Sequence, residues 1–149
     1  MKAPLGASRR PQEPRKRKVR VQTYASLRDR LDDVFSVWTR LRFTDDNGIV
    51  SCVSCGVRKH WKDRMDAGHF VPRGHLATRW HPENVAPQCK TCNWKQKFGN
   101  SAPYAAWGVN WYGMDWPARM VALSRTETKL TRADLQSMIE DYEGKIKAL

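Results

Sequence analysis

Two pairs of cysteines constrain this chain more than any other feature of its sequence. The first pair lies in Cys-Val-Ser-Cys-Gly, residues 52–56, and the second in Cys-Lys-Thr-Cys, residues 89–92. Two residues between two thiolates let both sulfurs reach one ion, and four thiolates give the closed tetrahedral site that is typical of structural zinc. A redox dithiol, the alternative, needs only one pair. The spacing therefore predicts a structural Zn²⁺ that joins two distant segments, with the ligands Cys52, Cys55, Cys89 and Cys92.

The net charge indicates the kind of partner. The chain has 149 residues, which favours one domain with extensions, and a formal charge of +12. Such a charge favours a polyanionic partner, in the first place nucleic acid, with a membrane surface as the weaker alternative. The sequence has no run of about 18 apolar residues, and its beginning lacks the apolar segment of a secretory signal. We therefore expect a cytoplasmic protein without membrane contact, and in that compartment cysteines favour metals over disulfides.

Residues 1–22 are predicted to be a disordered basic arm. Basic side chains far outnumber the single acid of this segment, Glu13, and three prolines interrupt it. Such a composition does not support a core. We expect the arm to contact DNA phosphates without sequence preference, and the alternative is a solubilising tail. The residues predicted to make these contacts are Arg15, Lys16, Arg17 and Lys18.

Helical periodicity precedes the first cysteine pair. Residues 23–48 are predicted to contain an N-terminal helix, because apolar residues recur at three- and four-residue steps from Tyr24 to Leu41. Thr23 or Ser26 can cap its start. The sequence Asp-Asp-Asn-Gly then predicts a turn that ends it. This apolar stripe is expected to face the core.

Residues 105–149 are predicted to form a C-terminal helical region. The aromatic segment 101–125 favours one or two short helices, broken at Gly108 and Gly113. Its rings are expected to pack in the core, with base stacking at opened DNA as the alternative. A final helix, capped by Thr131, carries an apolar stripe. This stripe either closes the core or pairs with a second chain.

The central region carries the polar residues of greatest interest. It is predicted to contain a strand, a second strand, a loop and a helix, at residues 49–51, 65–71, 75–83 and 93–98, respectively. The second strand includes His69. Asn84 precedes the second cysteine pair, and Asn93 directly follows it. This order of side chains, threaded through two cysteine pairs, resembles that of the HNH nucleases.

More closely, the chain is similar to the phage lambda NinG (Rap) recombination endonuclease family. The similarity covers residues 52–104 well. The motifs that carry it are D-A-G-H-F, Arg73-Gly74, Arg79-Trp80, N-V-A-P-Q-C-K-T-C-N, Gly99-Asn100 and Tyr104.

The resemblance implies an α+β fold, in which a zinc-stapled ββα-metal core (HNH, His-Me finger) at residues 49–104 is flanked by the N- and C-terminal helices. It implies metal-dependent cleavage of branched DNA, such as D-loops and Holliday junctions, during phage recombination in the host-cell cytoplasm. Its implied partners are branched DNA and other recombination proteins. A homodimer would suit symmetric cutting of both strands of a junction.

The resemblance also implies roles for individual residues. His69 would be the general base that activates water, which suits an imidazole because it titrates near neutral pH. Asn93 would be an oxygen ligand of a catalytic Mg²⁺ or Mn²⁺ ion. Asn84 would hold His69 through its second ring nitrogen or through the backbone. Arg73 or Arg79 would grip a phosphate. The zinc would position these groups without joining the chemistry.

Gly68 departs from the family pattern. Many HNH sites have a metal-binding Asp or His directly before the general base, and glycine offers no ligand. Because side chains alternate along a strand, Asp66 lies on the same face as position 68. We therefore predict that Asp66 is the carboxylate ligand of the catalytic ion, with His75 and His81 as alternatives. His60 is predicted to be a surface residue.

Two other functions are compatible with the sequence. A zinc ribbon alone suits a non-catalytic DNA-binding protein of phage recombination, and the missing ligand at Gly68 keeps that alternative open. An HNH enzyme of another kind, such as a restriction or nicking nuclease, is the third hypothesis.

Overall fold

The computed structural model describes residues 21–95 and 101–149. In that part of the chain it contains five α-helices and four short strands, which confirms the α+β class. None of the described helices is long and apolar enough to cross a bilayer. The predicted DNA-contacting run Arg15–Lys18 and the motif Gly99-Asn100 lie outside the described residues. The elements are α1 (Tyr24–Leu41), β1 (Ile49–Ser51), β2 (Arg58–His60), β3 (Met65–His69), α2 (Leu76–Arg79), β4 (Val85–Cys89), α3 (Ser101–Tyr112), α4 (Trp116–Ser124) and α5 (Arg132–Lys147), with a 3₁₀ turn at Pro82–Asn84 and a π-helical turn at Thr91–Lys95.

Helix α1 forms where the apolar periodicity places it. Thr23 has extended backbone, and its hydroxyl accepts a hydrogen bond from the Ser26 amide at 3.2 Å. This bond satisfies one of the free amides of the first turn, so Thr23 is the cap. The turn after the helix is closed by the Asp45 carboxylate, which accepts from the amides of Asn47 and Ile49 at 3.0 Å each.

Helix α5 closes the main core against α1. The Thr131 hydroxyl accepts from the Asp134 amide at 3.1 Å, and the Asp134 carboxylate accepts from the Thr131 amide at 2.7 Å, which together cap the helix. The apolar faces of α1 and α5 meet in one cluster with two side chains of the central region. Its buried members are Leu27, Leu31, Phe35, Trp80, Val85, Leu135, Ile139 and Tyr142. Of the two roles predicted for this helix, core packing is the one observed.

The central region consists of two antiparallel strand pairs. β1 pairs with β2, with Ile49 opposite His60, and β3 pairs with β4, with His69 opposite Val85. All five residues of β4 are buried. Val85 packs in the main core, whereas Ala86, which points to the other face, packs against residues of α3 and α4. β4 therefore lies between two layers of helices, and β3 is held beside it.

Several local predictions for the central region were wrong. The strand predicted at residues 65–71 ends at His69, and residues 58–60 form a strand that was not predicted. The loop predicted at residues 75–83 contains helix α2 and the start of the 3₁₀ turn. That turn begins because Nδ1 of His81 accepts a hydrogen bond from the Glu83 amide at 3.3 Å.

Gly108 does not break a helix, contrary to the prediction. Helix α3 runs through it, and Gly108 is buried where the ring of Trp116 passes over the backbone. A Cβ at position 108 would lie 2.0 Å from that ring, so close packing requires glycine there. Gly113, with φ of 99°, does lie at the end of α3 as predicted. The rings of this segment mostly pack on one another, in the cluster with Tyr104 and Trp116.

Candidate active site and zinc centre

The four cysteines converge on one point. Their sulfur atoms all lie within 4.8 Å of one another, and Sγ of Cys55 is 3.8 Å from Sγ of Cys89. A tetrahedral zinc ion with Zn–S bonds of about 2.3 Å requires sulfur–sulfur separations of about 3.8 Å. The donors are four thiols, and Cys52, Cys89 and Cys92 are buried. The cluster therefore can hold a metal ion such as zinc, as the spacing predicted.

Local backbone geometry prepares this cluster. Gly56 has φ of 75°, and its amide donates to the Cys52 carbonyl at 2.9 Å, which closes the turn between the first two cysteines. The Val53 amide donates to the Pro87 carbonyl at 2.9 Å and so ties this turn to β4. Burial raises the pKa of the Cys52 thiol, but backbone amides, with that of Cys89 foremost, donate to its sulfur and together lower the pKa below its ordinary value. This environment favours the thiolate at Cys52, whereas burial raises the pKa of the Cys55 thiol above its ordinary value.

A cleft of about 870 Å³ opens between α1, β3 and the π-helical turn. It collects residues that are far apart in the sequence. The polar and aromatic side chains that line it include Arg40, Asp66, His69, Arg73, Asn93 and Trp94. Three residues that were predicted to be catalytic and one predicted phosphate ligand therefore share one cavity.

His69 is held by a backbone carbonyl. Its Nε2 lies 2.9 Å from the Arg79 oxygen, and because a carbonyl only accepts hydrogen bonds, Nε2 carries the proton. In the neutral ring Nδ1 is then the basic atom. Burial lowers the pKa of His69 below its ordinary value; the bond to the Arg79 carbonyl partly opposes this shift, and the charge of Arg73 adds to it. The imidazole is therefore predominantly neutral at pH 7.

Arg79 has a different role from the predicted one. Its Nε donates to Oδ1 of Asp32 at 2.9 Å, its Nη2 pairs with the other oxygen of that carboxylate, and its Nη1 donates to the Arg73 carbonyl at 3.0 Å. The indole of Trp80 also donates to Asp32 at 2.9 Å. The Arg79 guanidinium is thus bound to the Asp32 carboxylate of α1 rather than turned towards a phosphate. The prediction that Arg79 grips a phosphate does not fit this geometry, whereas the exposed Arg73 at the cleft does.

Asn84 acts on the backbone rather than on the His69 ring. It is fully buried, its Oδ1 accepts from the Val71 amide at 2.8 Å, and its Nδ2 donates to the carbonyls of Val71 and Thr78 at 2.9 Å each. None of these three bonds is to His69, so the Asn84 side chain does not hold His69 directly. It fixes the chain two residues after His69, while the ring itself is held by Arg79.

Asp66 and Asn93 are in contact, as their proposed shared function requires. Nδ2 of Asn93 donates to Oδ2 of Asp66 at 3.0 Å, and the indole of Trp94 donates to the same oxygen at 2.9 Å. The space beside Gly68 is filled by the Gln88 side chain, whose Oε1 would lie 2.0 Å from a Cβ there. A larger residue at position 68 would displace Gln88. On this face of β3 the carboxylate is therefore supplied by Asp66.

The remaining histidines lie elsewhere. Among the described residues that line the cleft, neither His75 nor His81 occurs. His75 is exposed at the start of α2 and His81 caps the 3₁₀ turn, so neither fits the alternative role of metal ligand at Asp66. His60 is exposed on β2, as predicted.

Sequence reasoning missed Arg40. Its Nη1 donates to the carbonyls of Trp61 and Met65 at 3.1 and 3.3 Å, and it lines the cleft beside Asp66. Burial lowers its pKa, and attraction to Asp66 partly opposes that shift. The signal in the sequence was a line of polar residues along α1, opposite to the apolar stripe: Asp32, Asp33, Ser36 and Arg40.

The comparison with protein families decides the affiliation. The family described as Bacteriophage Lambda NinG protein matches residues 6–149, which is nearly the whole chain. The chain belongs to the bacteriophage lambda NinG family. No curated protein and no solved structure matches it. The NinG match extends well beyond the motifs at residues 52–104 and includes α1 and α5, so these helices belong to the family's pattern.

Proposed function

We propose that this NinG-family protein is a metal-dependent endonuclease that cleaves branched DNA, such as D-loops and Holliday junctions. The observation that carries the proposal is that the neutral His69 and the hydrogen-bonded Asp66 and Asn93 line one cleft. β3, β4 and the π-helical turn follow one another in the chain as strand, strand and helical turn, an order that supports an HNH (ββα-metal) core. The basic charge of +12 supports a nucleic-acid substrate.

His69 would act as the general base. Nδ1 takes a proton from water, the water oxygen bonds to phosphorus, and the bond to the 3′ oxygen breaks, which leaves a 5′-phosphate and a 3′-hydroxyl after the leaving oxygen is protonated. A general base must be unprotonated at the working pH. The lowered pKa of His69 meets this requirement, and the bond from Nε2 to Arg79 stabilises the imidazolium that forms.

Asp66 and Asn93 would hold the catalytic ion. Both offer oxygen donors, which Mg²⁺ and Mn²⁺ prefer, and Mg²⁺ sites commonly use one or two protein ligands together with water and substrate phosphate. Asn93 uses its Nδ2 and Asp66 its Oδ2 in the bond between them, so Oδ1 of each residue would be the ligand. When bound, the ion supplies positive charge to the phosphate and the leaving 3′ oxygen.

Two further groups would serve the substrate. Arg73 is exposed at the cleft and would contact a phosphate next to the scissile bond. Zinc on the four cysteines would fix β4 and the π-helical turn, because Cys89 ends the strand and Cys92 lies in the turn, one residue before Asn93. This ion would position Asn93 and take no part in the reaction.

A non-catalytic DNA-binding protein is the second candidate. The observation that favours it is Gly68, since the place of a usual metal ligand is occupied by Gln88. Such a protein would bind DNA through the same basic residues and keep the zinc as a structural staple.

One experiment separates these functions. Zinc-loaded protein is incubated with Mg²⁺ or Mn²⁺ and labelled four-way junction, D-loop or linear duplex, beside the variants His69→Ala and His60→Ala. We expect cleavage of the branched DNA by the parent and by His60→Ala, whose histidine is exposed on β2, and a loss of about 100-fold or more with His69→Ala.

Three outcomes would contradict parts of the proposal. Binding without cleavage by the parent favours the non-catalytic protein. Equal cleavage by His69→Ala rejects His69 as the base. Linear duplex cut as fast as the junction favours an HNH enzyme of another kind.

A further inference from the structure

We infer that Trp94 is the residue that selects branched DNA with unpaired strands, such as D-loops, by stacking on an unpaired nucleobase at the branch point. This inference rests on the proposed function and names the substrate feature that the cleft recognises. Trp94 is 70% exposed, which is unusual for so large an apolar side chain. It lines the same cleft as Asp66 and His69. An unpaired base held there would place the adjoining phosphate near the proposed catalytic groups.

The indole of Trp94 is oriented by the site itself. Its Nε1 donates to Oδ2 of Asp66 at 2.9 Å, so its polar edge faces the cleft. The π-helical turn that carries it also contains Cys92, a member of the metal-binding cluster. The ring therefore has a defined position before DNA arrives, and preorganisation lowers the entropic cost of binding.

Lys90 lies over one face of the Trp94 ring, and the other face is suited to a base. Among the described residues no aromatic ring packs against it, whereas the other strongly exposed tryptophan, Trp111, stacks on Trp107 with an angle of 14° between the rings. Trp111 is thus the outer layer of an aromatic cluster. Trp94 has the arrangement of a stacking platform, which accepts any base because every base has a π-face.

Positive charge flanks the ring. Nζ of Lys90 lies 5.9 Å from the centre of the Trp94 ring. The Lys90 amide donates to the Arg64 carbonyl at 3.0 Å, which brings the exposed Arg64 beside it. Within residues 21–95 and 101–149 neither of these cations is in an ion pair with an acid. An aromatic platform next to a lysine, with an exposed arginine adjacent to that lysine, is a combination that suits single strands, which are bound through base and backbone together.

The test measures binding apart from cleavage. Dissociation constants are determined in a His69→Ala background for two probes: a splayed-arm fork with 2-aminopurine unpaired at the branch, and a linear duplex. The variants are Trp94→Ala, Trp94→Phe and, as the matched control, Trp111→Ala. Zinc content and melting temperature show that each variant is folded.

We expect Trp94→Ala to weaken fork binding by about 5- to 150-fold, the loss that corresponds to one stacked base, with less than about twofold change for the duplex. Fluorescence quenching of 2-aminopurine should be lost as well. Trp94→Phe keeps a ring and should bind the fork nearly as well as the parent, as should Trp111→Ala.

Three results would overturn the inference. The first is an unchanged affinity of Trp94→Ala for the fork, and the second is an equal loss of affinity for fork and duplex. The third is a loss of fork affinity in Trp94→Phe as large as in Trp94→Ala, which would point to the Asp66 hydrogen bond instead. Cleavage by the otherwise unchanged protein tests the proposed function separately. If the protein does not cut but Trp94 still controls fork binding, only the enzymatic proposal fails.

Discussion

Asn84 offers the sharpest test of how the site is built. Its side chain is fully buried and makes three hydrogen bonds to the backbone of Val71 and Thr78. The substitution Asn84→Ala would leave one amide and two carbonyls without these partners. Val71 and Thr78 are buried, so water reaches these groups poorly.

The loss of stability in Asn84→Ala follows from the number of hydrogen bonds removed. Each buried hydrogen bond contributes about 1–1.5 kcal/mol net, so the loss of three lowers the free energy of unfolding by about 3–5 kcal/mol. For a chain of 149 residues the entropy of unfolding converts this loss into a fall in melting temperature of about 10–15 °C. At neutral pH Asn84→Asp should destabilise the protein at least as much as Asn84→Ala does. The second carboxylate oxygen would face two carbonyls, to which it cannot donate a hydrogen bond.

Thermal unfolding of the zinc-loaded protein, followed by circular dichroism, measures the effect. Asn110→Ala is the matched control, because Asn110 is exposed on α3 and alanine favours a helix. A fall of less than about 3 °C for Asn84→Ala would correspond to under about 1 kcal/mol and would refute the assignment of three buried bonds.

Three further predictions follow from the structure. Cys89→Ser should lose zinc and unfold the segments around the four cysteines, because the free energy of metal binding contributes to folding in such sites. An unchanged zinc content and melting temperature would contradict this. Gly108→Ala should lower the free energy of unfolding by about 1–3 kcal/mol, because the new methyl group overpacks against Trp116. Gly144→Ala on α5 has open space around it and should raise that free energy by about 0.5–1 kcal/mol in the same denaturant titration. Equal effects of the two substitutions would reject the packing argument. The pH–rate profile should fall on the acid side with a midpoint below about 6.5, because the pKa of His69 is lowered; a midpoint above that value would exclude His69 as the titrating base.

The two long helices could be predicted because their sequences agree at every level. Apolar periodicity, capping residues and turns all place α1 and α5 where they occur, and Thr131 with Asp134 forms a capping box. The cluster of four cysteines was predictable for a related reason. Two residues between thiolates fix their geometry through the backbone, whatever the remaining fold does.

Gly108 shows why other elements were not predictable. Glycine is a weak helix former, so a break was expected. In the fold its missing side chain makes room for Trp116, and this packing outweighs the local preference. Likewise β2, with the sequence Arg-Lys-His, has no apolar residue, and its pairing with β1 makes it a strand.

The candidate site was predictable in its membership but not in its contacts. The family resemblance named His69, Asn84 and Asn93, and strand alternation indicated Asp66. No sequence pattern shows that the Arg79 carbonyl accepts a hydrogen bond from Nε2 of His69. That contact depends on how the segment between β3 and β4 folds back. Asp32, which secures Arg79, comes from α1 and was missed for the same reason.

Helix α1 is at once a partner of α5 in the main core and a wall of the cleft. Arg30 on α1 and Glu143 on α5, which are 113 positions apart in the chain, are joined at 2.7 Å. During translation the ribosome releases the cysteine pairs and His69 long before α5 exists, and the core can close only when α5 has emerged. A nascent or prematurely terminated chain therefore lacks a fixed wall opposite Asp66.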